Sequence, residues 1–373
     1  MTHVLAIPTR RLLVPALCVL LAWLGAAAGD AMAHGPSGAV YTLTNSPAGN
    51  AVKAFHRAGD GALTSGGQFS TGGTGTGAGL GSQEALVLEG KRLFAVNPGS
   101  DSIASFRVER RGLRLVDVES SGGDRPISLT VHRGLLYVLN AGGAGNISGF
   151  HVSRHGELAP LAGSTRPLSG PGPDPAQVSF DPEGETLVVT EKATNLIVTY
   201  EVDEHSGLPA GPVTHPSAGA TPFGFGFDRR DHLIVSEAFG GAPDASAVSS
   251  YEIDDGDVEP ITPSAQTTET AACWIVVTRN GRYTYTTNTG SGSITGYRIS
   301  RDGELSLLDA DGRTGLTGPG PIDMALSRGS RFLYSLNAGD GTVSGFRVKA
   351  DGSLTPAGTV AGLPAGATGL AAR

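Results

Sequence analysis

The feature that most constrains this chain is a pair of residues that keeps returning. A branched aliphatic residue is followed three positions later by an aromatic one at Val52/Phe55, Ile103/Phe106, Ile147/Phe150, Ile197/Tyr200, Val248/Tyr251, Ile294/Tyr297 and Val343/Phe346. The step is 51 residues from Phe55 to Phe106 and 44 from Phe106 to Phe150, and the later steps fall inside that range. Residues 126–163 show what lies between two copies. They read as four short strands, ISLTVH, LLYVLN, ISGFHV and a weak LAPLAG. Alternating apolar residues, β-branched side chains and glycines between the runs mark an antiparallel meander.

A single sheet of this size leaves both faces bare and is not stable alone. Four-stranded units repeated every 40 to 50 residues, roughly, are propeller blades. A β-sandwich would space its strands evenly without the long internal period. The fold class is therefore all-β: a seven-bladed β-propeller of four-stranded antiparallel blades, in one domain over residues 34–373. The first unit starts at AVYTLTN (39–45), which matches a second strand, and the tail ATGLAA (367–372) matches a missing first strand. The C-terminal strand is thus expected to complete the N-terminal blade and close the ring.

Residues 1–33 read as a signal peptide. Arg10 and Arg11 precede the apolar run LLVPALCVLLAWLGAAAG, and Ala31-Met32-Ala33 is a small-x-small cleavage site. Cleavage would leave His34 first in an exported protein, periplasmic or extracellular, with no membrane insertion. The 27 basic residues then lose Arg10 and Arg11 and the 35 acidic ones lose Asp30, giving a net charge of −9. An evenly acidic surface argues against nucleic acid and anionic membrane as partners, and a monomer acting on a small molecule or saccharide is expected. Cys18 would leave with the leader, so Cys273 has no disulfide partner and reads as a small buried hydrophobe. No metal is expected: the histidines are scattered, and Asp254-Asp255-Gly256-Asp257 reads as a turn. Nor does any motif call for a cofactor.

In a propeller the fourth-to-first and second-to-third connections share one face, here called upper, and a ligand is expected at the channel mouth on that side. The residues closing the second strands are Asn45, Asn97, Asn140, Glu191, Glu237, Asn288 and Asn337. Asparagine suits a turn at that place, because it bonds its own backbone and tolerates left-handed geometry. Glutamate does not, so Glu191 and Glu237, with the adjacent Lys192, are candidate catalytic groups able to move a proton or position water. Asn140 and Asn288 are candidate ligand contacts on the same rim. Where the first strands begin, Glu84, Gln177, Trp274 and Asp323 supply polar and stacking groups, with Phe223 beside them. One turn of the pleat further in, Leu86, Thr130, Ser179, Gly226, Val276, Ala325 and Ala371 are mostly small, which fits a crowded centre and not a wide pore.

The stretches RPISLTVHRGLLYVLNAG and DPAQVSFDPEGETLVVTEK resemble the lactonase family of seven-bladed propellers, which includes a 6-phosphogluconolactonase and a fungal carboxymuconate cyclase. The resemblance spans all seven units. It implies an active site made of a His entering blade four, an Arg entering blade five, a Glu closing the second strand of blade five and an Arg just after the second strand of blade six. Those places hold Ala176, Phe223, Glu237 and Thr289, so Glu237 alone is retained. Without the cationic groups, an anionic phosphosugar loses its electrostatic support. The expectation is then a lactonase-like hydrolase for a neutral lactone, sugar or aromatic acid. Glu237 would be its base, Glu191 or Lys192 would orient the water, and Trp274 and Phe223 would hold the ligand. The competing expectation is a non-catalytic propeller that recognises a cell-envelope polymer or a protein.

Overall fold

A computed structural model describes residues 1–3, 37–254 and 256–373. The signal-peptide assignment and its cleavage site lie outside the described residues. Seven antiparallel sheets of the expected strand order surround one axis. Among the described residues the only helix is the 3₁₀ turn Phe239–Gly241. The recurring pair explains the packing. All seven aliphatic members and all seven aromatic members on the third strands are buried, at 2% exposure or less. Each unit thereby hides its apolar faces against the next, which is what makes a closed ring more stable than any blade alone.

Tyrosine hydroxyls tie three of the blades to the next. Tyr137, Tyr285 and Tyr334, all on second strands, donate to the carbonyls of Gly207, Gly352 and Gly61 in the third-to-fourth turn of the following blade, at 2.7, 2.7 and 2.8 Å. The ring is closed by the expected clasp. Gly38–Leu43 pairs with Ala51–Arg57 on one side and with the C-terminal Thr368–Ala372 on the other, with Val40 opposite Ala372 and Tyr41 opposite Ala371. Arg57 fastens both ends by donating from one Nη to the carbonyls of Ser37 and Arg373.

The weak fourth strand of blade three is split. Leu158–Pro160 and Arg166–Pro167 both pair with Asn146–Val152, and blade six repeats the arrangement with Leu305–Leu307 and Gly315–Leu316 on Ser293–Ile299. In each gap a side chain replaces the missing backbone acceptor. The Gly149 N–H donates to Ser164 Oγ and the Gly296 N–H to Thr314 Oγ1, both at 2.9 Å. Proline and hydroxyl-rich outer strands are tolerated because the outer edge faces water and needs no complete ladder.

Candidate functional site

Five blades begin alike. Pro126, Pro175, Pro222, Ala272 and Pro321 pair with the residue that closes the second strand, respectively Asn140, Glu191, Glu237, Asn288 and Asn337. Blade two departs from this. Its inner strand pairs only from Leu86, opposite Ala95, and Glu84 takes a positive φ of 63°. The freed segment Gly81–Glu84 crosses the axis. The N–H of Gln83 donates to the Ala176 carbonyl of blade four, while the Glu84 carbonyl accepts from Leu129 of blade three. The Gln83 amide reaches blade six, donating to the Ile275 carbonyl at 2.7 Å and accepting the Ile275 N–H at 2.9 Å. Trp274 Nε1 donates to the Ser82 carbonyl at 3.0 Å. Gly224 makes room for this crossing, because a Cβ there would lie 2.1 Å from Gln83 Oε1.

The upper mouth is closed around this plug. Phe223 and Trp274 pack at 4.9 Å between ring centroids, with Ala176, Ala238 and Cys273 against them. Lys192 Nζ sits 4.8 Å from the Phe223 centroid, donates to the Gly81 carbonyl at 2.7 Å and pairs with Asp174 at 3.5 Å. Burial lowers the Lys192 pKa, and Asp174 counters it. The Cys273 thiol is pushed up to about 11 by burial. Thr289 Oγ1 donates to the Pro321 carbonyl. Ala176 and Phe223, at two of the places where the family resemblance implies cationic catalytic groups, belong to this apolar cluster, and Trp274, Phe223 and Lys192 form a lid over the plug.

Glu191 and Glu237 lie beneath the upper loops, fully buried, and neither pairs with Lys192. Glu191 accepts from the Ser169 N–H and hydroxyl and from Thr194 Oγ1. Glu237 accepts from the Gly219 N–H and from the hydroxyls of Ser249 and Ser264. Burial raises the Glu237 pKa and these hydrogen bonds pull it back. Glu237 Oε2 is taken up by Ser264 on the fourth strand of its own blade, and through Ser169 and Gly219 the two carboxylates hold fourth-to-first connections to the blades after them. Asn140 does the same by donating to the Ser121 carbonyl, and Asn288 donates to Ser293 and Thr295. Glu269, which the sequence reading passed over, belongs to the same set through Ser293 and Arg313.

Below the plug lies a cavity of about 330 Å³ on the axis. Its blind end is made by Gln83, Glu84 and Asp323, and its walls run through Leu86, Gly226, Val276 and Ala371 to Leu88, Phe227, Val277 and Leu326 at the lower face. The small side chains at the second level therefore leave space where a crowded centre was expected. Seven inner strands hold their backbones too far apart for Gly, Ala and Ser to meet across the axis.

Asp323 is 2% exposed; its Oδ1 accepts the Met324 N–H at 2.7 Å, and its Oδ2 has no hydrogen-bond partner. Glu84 Oε2 is likewise buried and unpartnered. Burial pushes the Glu84 pKa up to about 8, against a hydrogen bond from Gln177. The Asp323 pKa rises well above the carboxylate range through burial, with the Glu84 charge adding to it. Gln177 is otherwise committed to blade five, accepting the Phe225 N–H at 2.7 Å and donating to its carbonyl. Two neighbouring carboxyl groups held at different protonation tendencies can act as an acid and a base toward the same guest. Of the predicted site residues, Glu84, Gln177 and Asp323 meet here; Trp274, Phe223 and Lys192 form the lid; Glu191, Glu237 and Asn140 anchor connections, and Asn288 holds the third strand of its own blade. Gln83 was missed, although Ser82 stands where four other blades have proline.

Residues 70–368 match the family model for Lactonase, 7-bladed beta-propeller. A curated protein of Arthroderma benhamiae named "Probable 6-phosphogluconolactonase" is 23% identical over 269 residues, covering 65% of this chain and 68% of its own. The periplasmic gluconolactonase PpgL of Pseudomonas aeruginosa superposes with a TM-score of 0.69 at 16% identity, covering 88% of this chain and 98% of that one. A protein from Lactobacillus plantarum superposes with a TM-score of 0.72 at 16% identity, covering 90% and 99%.

Proposed function

This chain belongs to the lactonase family of seven-bladed β-propellers, and on that premise we propose that it is an exported, monomeric hydrolase of a small neutral lactone, working in the axial cavity and not at the upper rim. The observation that carries the reading is that Glu84 and Asp323, each with a buried carboxyl oxygen lacking a hydrogen-bond partner, both line the blind end of that cavity. The cavity wall has no Lys or Arg, so a phosphorylated or carboxylated substrate would meet two acids and no counter-charge. A neutral lactone meets apolar walls and two hydrogen-bonding groups, as small-molecule sites generally offer. The name of the Pseudomonas protein supports a sugar lactone met outside the cytoplasm.

In this reading Asp323, kept protonated by burial, donates a hydrogen bond to the lactone carbonyl or ring oxygen. Glu84, once ionised, takes a proton from the attacking water. The water oxygen bonds to the carbonyl carbon, the ring C–O bond breaks, and the freed alkoxide takes the Asp323 proton. The open hydroxy acid then gives its carboxyl proton to Asp323 and Glu84 loses its own to water, so the carboxylate product is repelled by the re-ionised Glu84. Such acid–base assistance is worth about 10²–10⁴ in rate.

The test is a panel of neutral γ- and δ-lactones, with kcat/KM followed against pH. A rising limb near the Glu84 pKa of about 8 is expected, lost in Glu84→Gln, with Asp323→Asn at least about a hundredfold slower. Lactone binding without turnover, in protein whose fold is intact, would overturn catalysis. It would favour the second reading, a binding propeller, which the replacement of the family's cationic places by Ala176, Phe223 and Thr289 already supports.

A further inference from the structure

The lower face is not evenly acidic, as the net charge alone implies. Between blades five, six and seven it carries a cleft of about 440 Å³ lined by Arg229, Arg279, Arg331 and Lys349, with no carboxylate in its wall. All four cations are exposed, and among the described residues none makes an ion pair. The acids of the same turns, Asp228, Asp231 and Asp351, stay outside its wall, although Asp351 faces the Lys349 charge. Asp228 accepts from the backbone of Arg230 and His232, and Asp351 accepts from Ser353. The cleft is also stiff. The Arg279 N–H donates to Ser330 Oγ at 2.9 Å, Tyr283 Oη donates to the Ala350 carbonyl at 3.0 Å, and the Arg331 guanidinium lies 5.8 Å from the Phe332 ring centre. Like charges gathered on fixed turns in an otherwise acidic molecule repel one another until an anion joins them.

We infer that this cleft is a binding site for a compact multivalent oxyanion, carrying phosphate or carboxylate groups, which the guanidinium forks match in geometry. The volume suits a small molecule, and the reading stands whether or not the axial cavity hydrolyses lactones.

Calorimetric titration of the full protein with sodium tripolyphosphate and, separately, citrate tests it. One-to-one binding is expected at about 20 mM salt, weakened roughly tenfold at about 200 mM as the charges are screened. Arg279→Glu and Lys349→Glu, each with an unchanged melting temperature, should weaken it by about tenfold or more. Arg110→Glu, on a distant turn of blade two, should not. Binding of tripolyphosphate alone identifies a phosphate ligand, and binding of both identifies a general oxyanion site. No binding at low salt, or equal binding by wild type and both cleft variants, overturns the proposal.

Discussion

Replacing Glu84 by Gln should barely change stability in mild acid and should raise it in mild alkali. An unfolded glutamate ionises near its ordinary value of about 4.3, whereas in the fold burial pushes Glu84 up to about 8. Between these values the unfolded chain releases a proton that the folded one keeps. The folded state therefore binds more protons, and stability declines as pH rises across that window, levelling off once both states are ionised. Each unit of pKa corresponds to about 1.36 kcal/mol, so the full separation is on the order of 4–5 kcal/mol. Glu84 is only partly enclosed and its cavity opens to water at the lower face, so solvent screening should reduce this to about 2–4 kcal/mol. Glutamine keeps the shape but has nothing to titrate, and without the Glu84 charge Asp323 is also relieved. Urea unfolding at about pH 5 and about pH 9 should show the variant gaining on the wild type by about 2–4 kcal/mol between the two. Parallel curves, or a variant that loses ground as pH rises, would refute the reasoning.

Two further outcomes follow from burial and hydrogen bonding. Cys273 is 7% exposed with its thiol held up at about 11, so an aromatic disulfide reagent at neutral pH should leave the folded protein unlabelled while labelling it promptly in urea; equal rates would mean that the lid opens freely. Tyr334→Phe removes a 2.8 Å bond to the Gly61 carbonyl and should cost about 1–2 kcal/mol in thermal unfolding, a loss that an unchanged melting temperature would contradict.

The fold was legible because it rests on period. The strand-three aliphatic and aromatic residues face the core in every blade, and a repeat that must bury both faces has few solutions. The matched fragments at the two ends likewise announced the clasp, since backbone pairing depends on register and not on side-chain detail. The site was less legible. Glu191 and Glu237 break an asparagine column, which reads as chemistry, and in the fold the longer side chain reaches the Ser169 and Gly219 amides of the upper connections. The crossing of Gly81–Glu84 depends on one blade abandoning its ladder, and the local trace of that is small: Ser82 in place of a proline. That Asp323 and Glu84 would be neighbours could not be read from positions so far apart in the chain. Their meeting follows from the crossing.

The segment that spans the axis also turns the propeller from a tube into a chamber with one door. Blades three, four and six all hold it, so no single blade can swing it aside. A guest admitted from below must back out the way it came, and an outgoing molecule blocks the next arrival. Long polymers cannot be threaded through such a ring, and any reaction inside it would slow as its own output accumulates at the threshold.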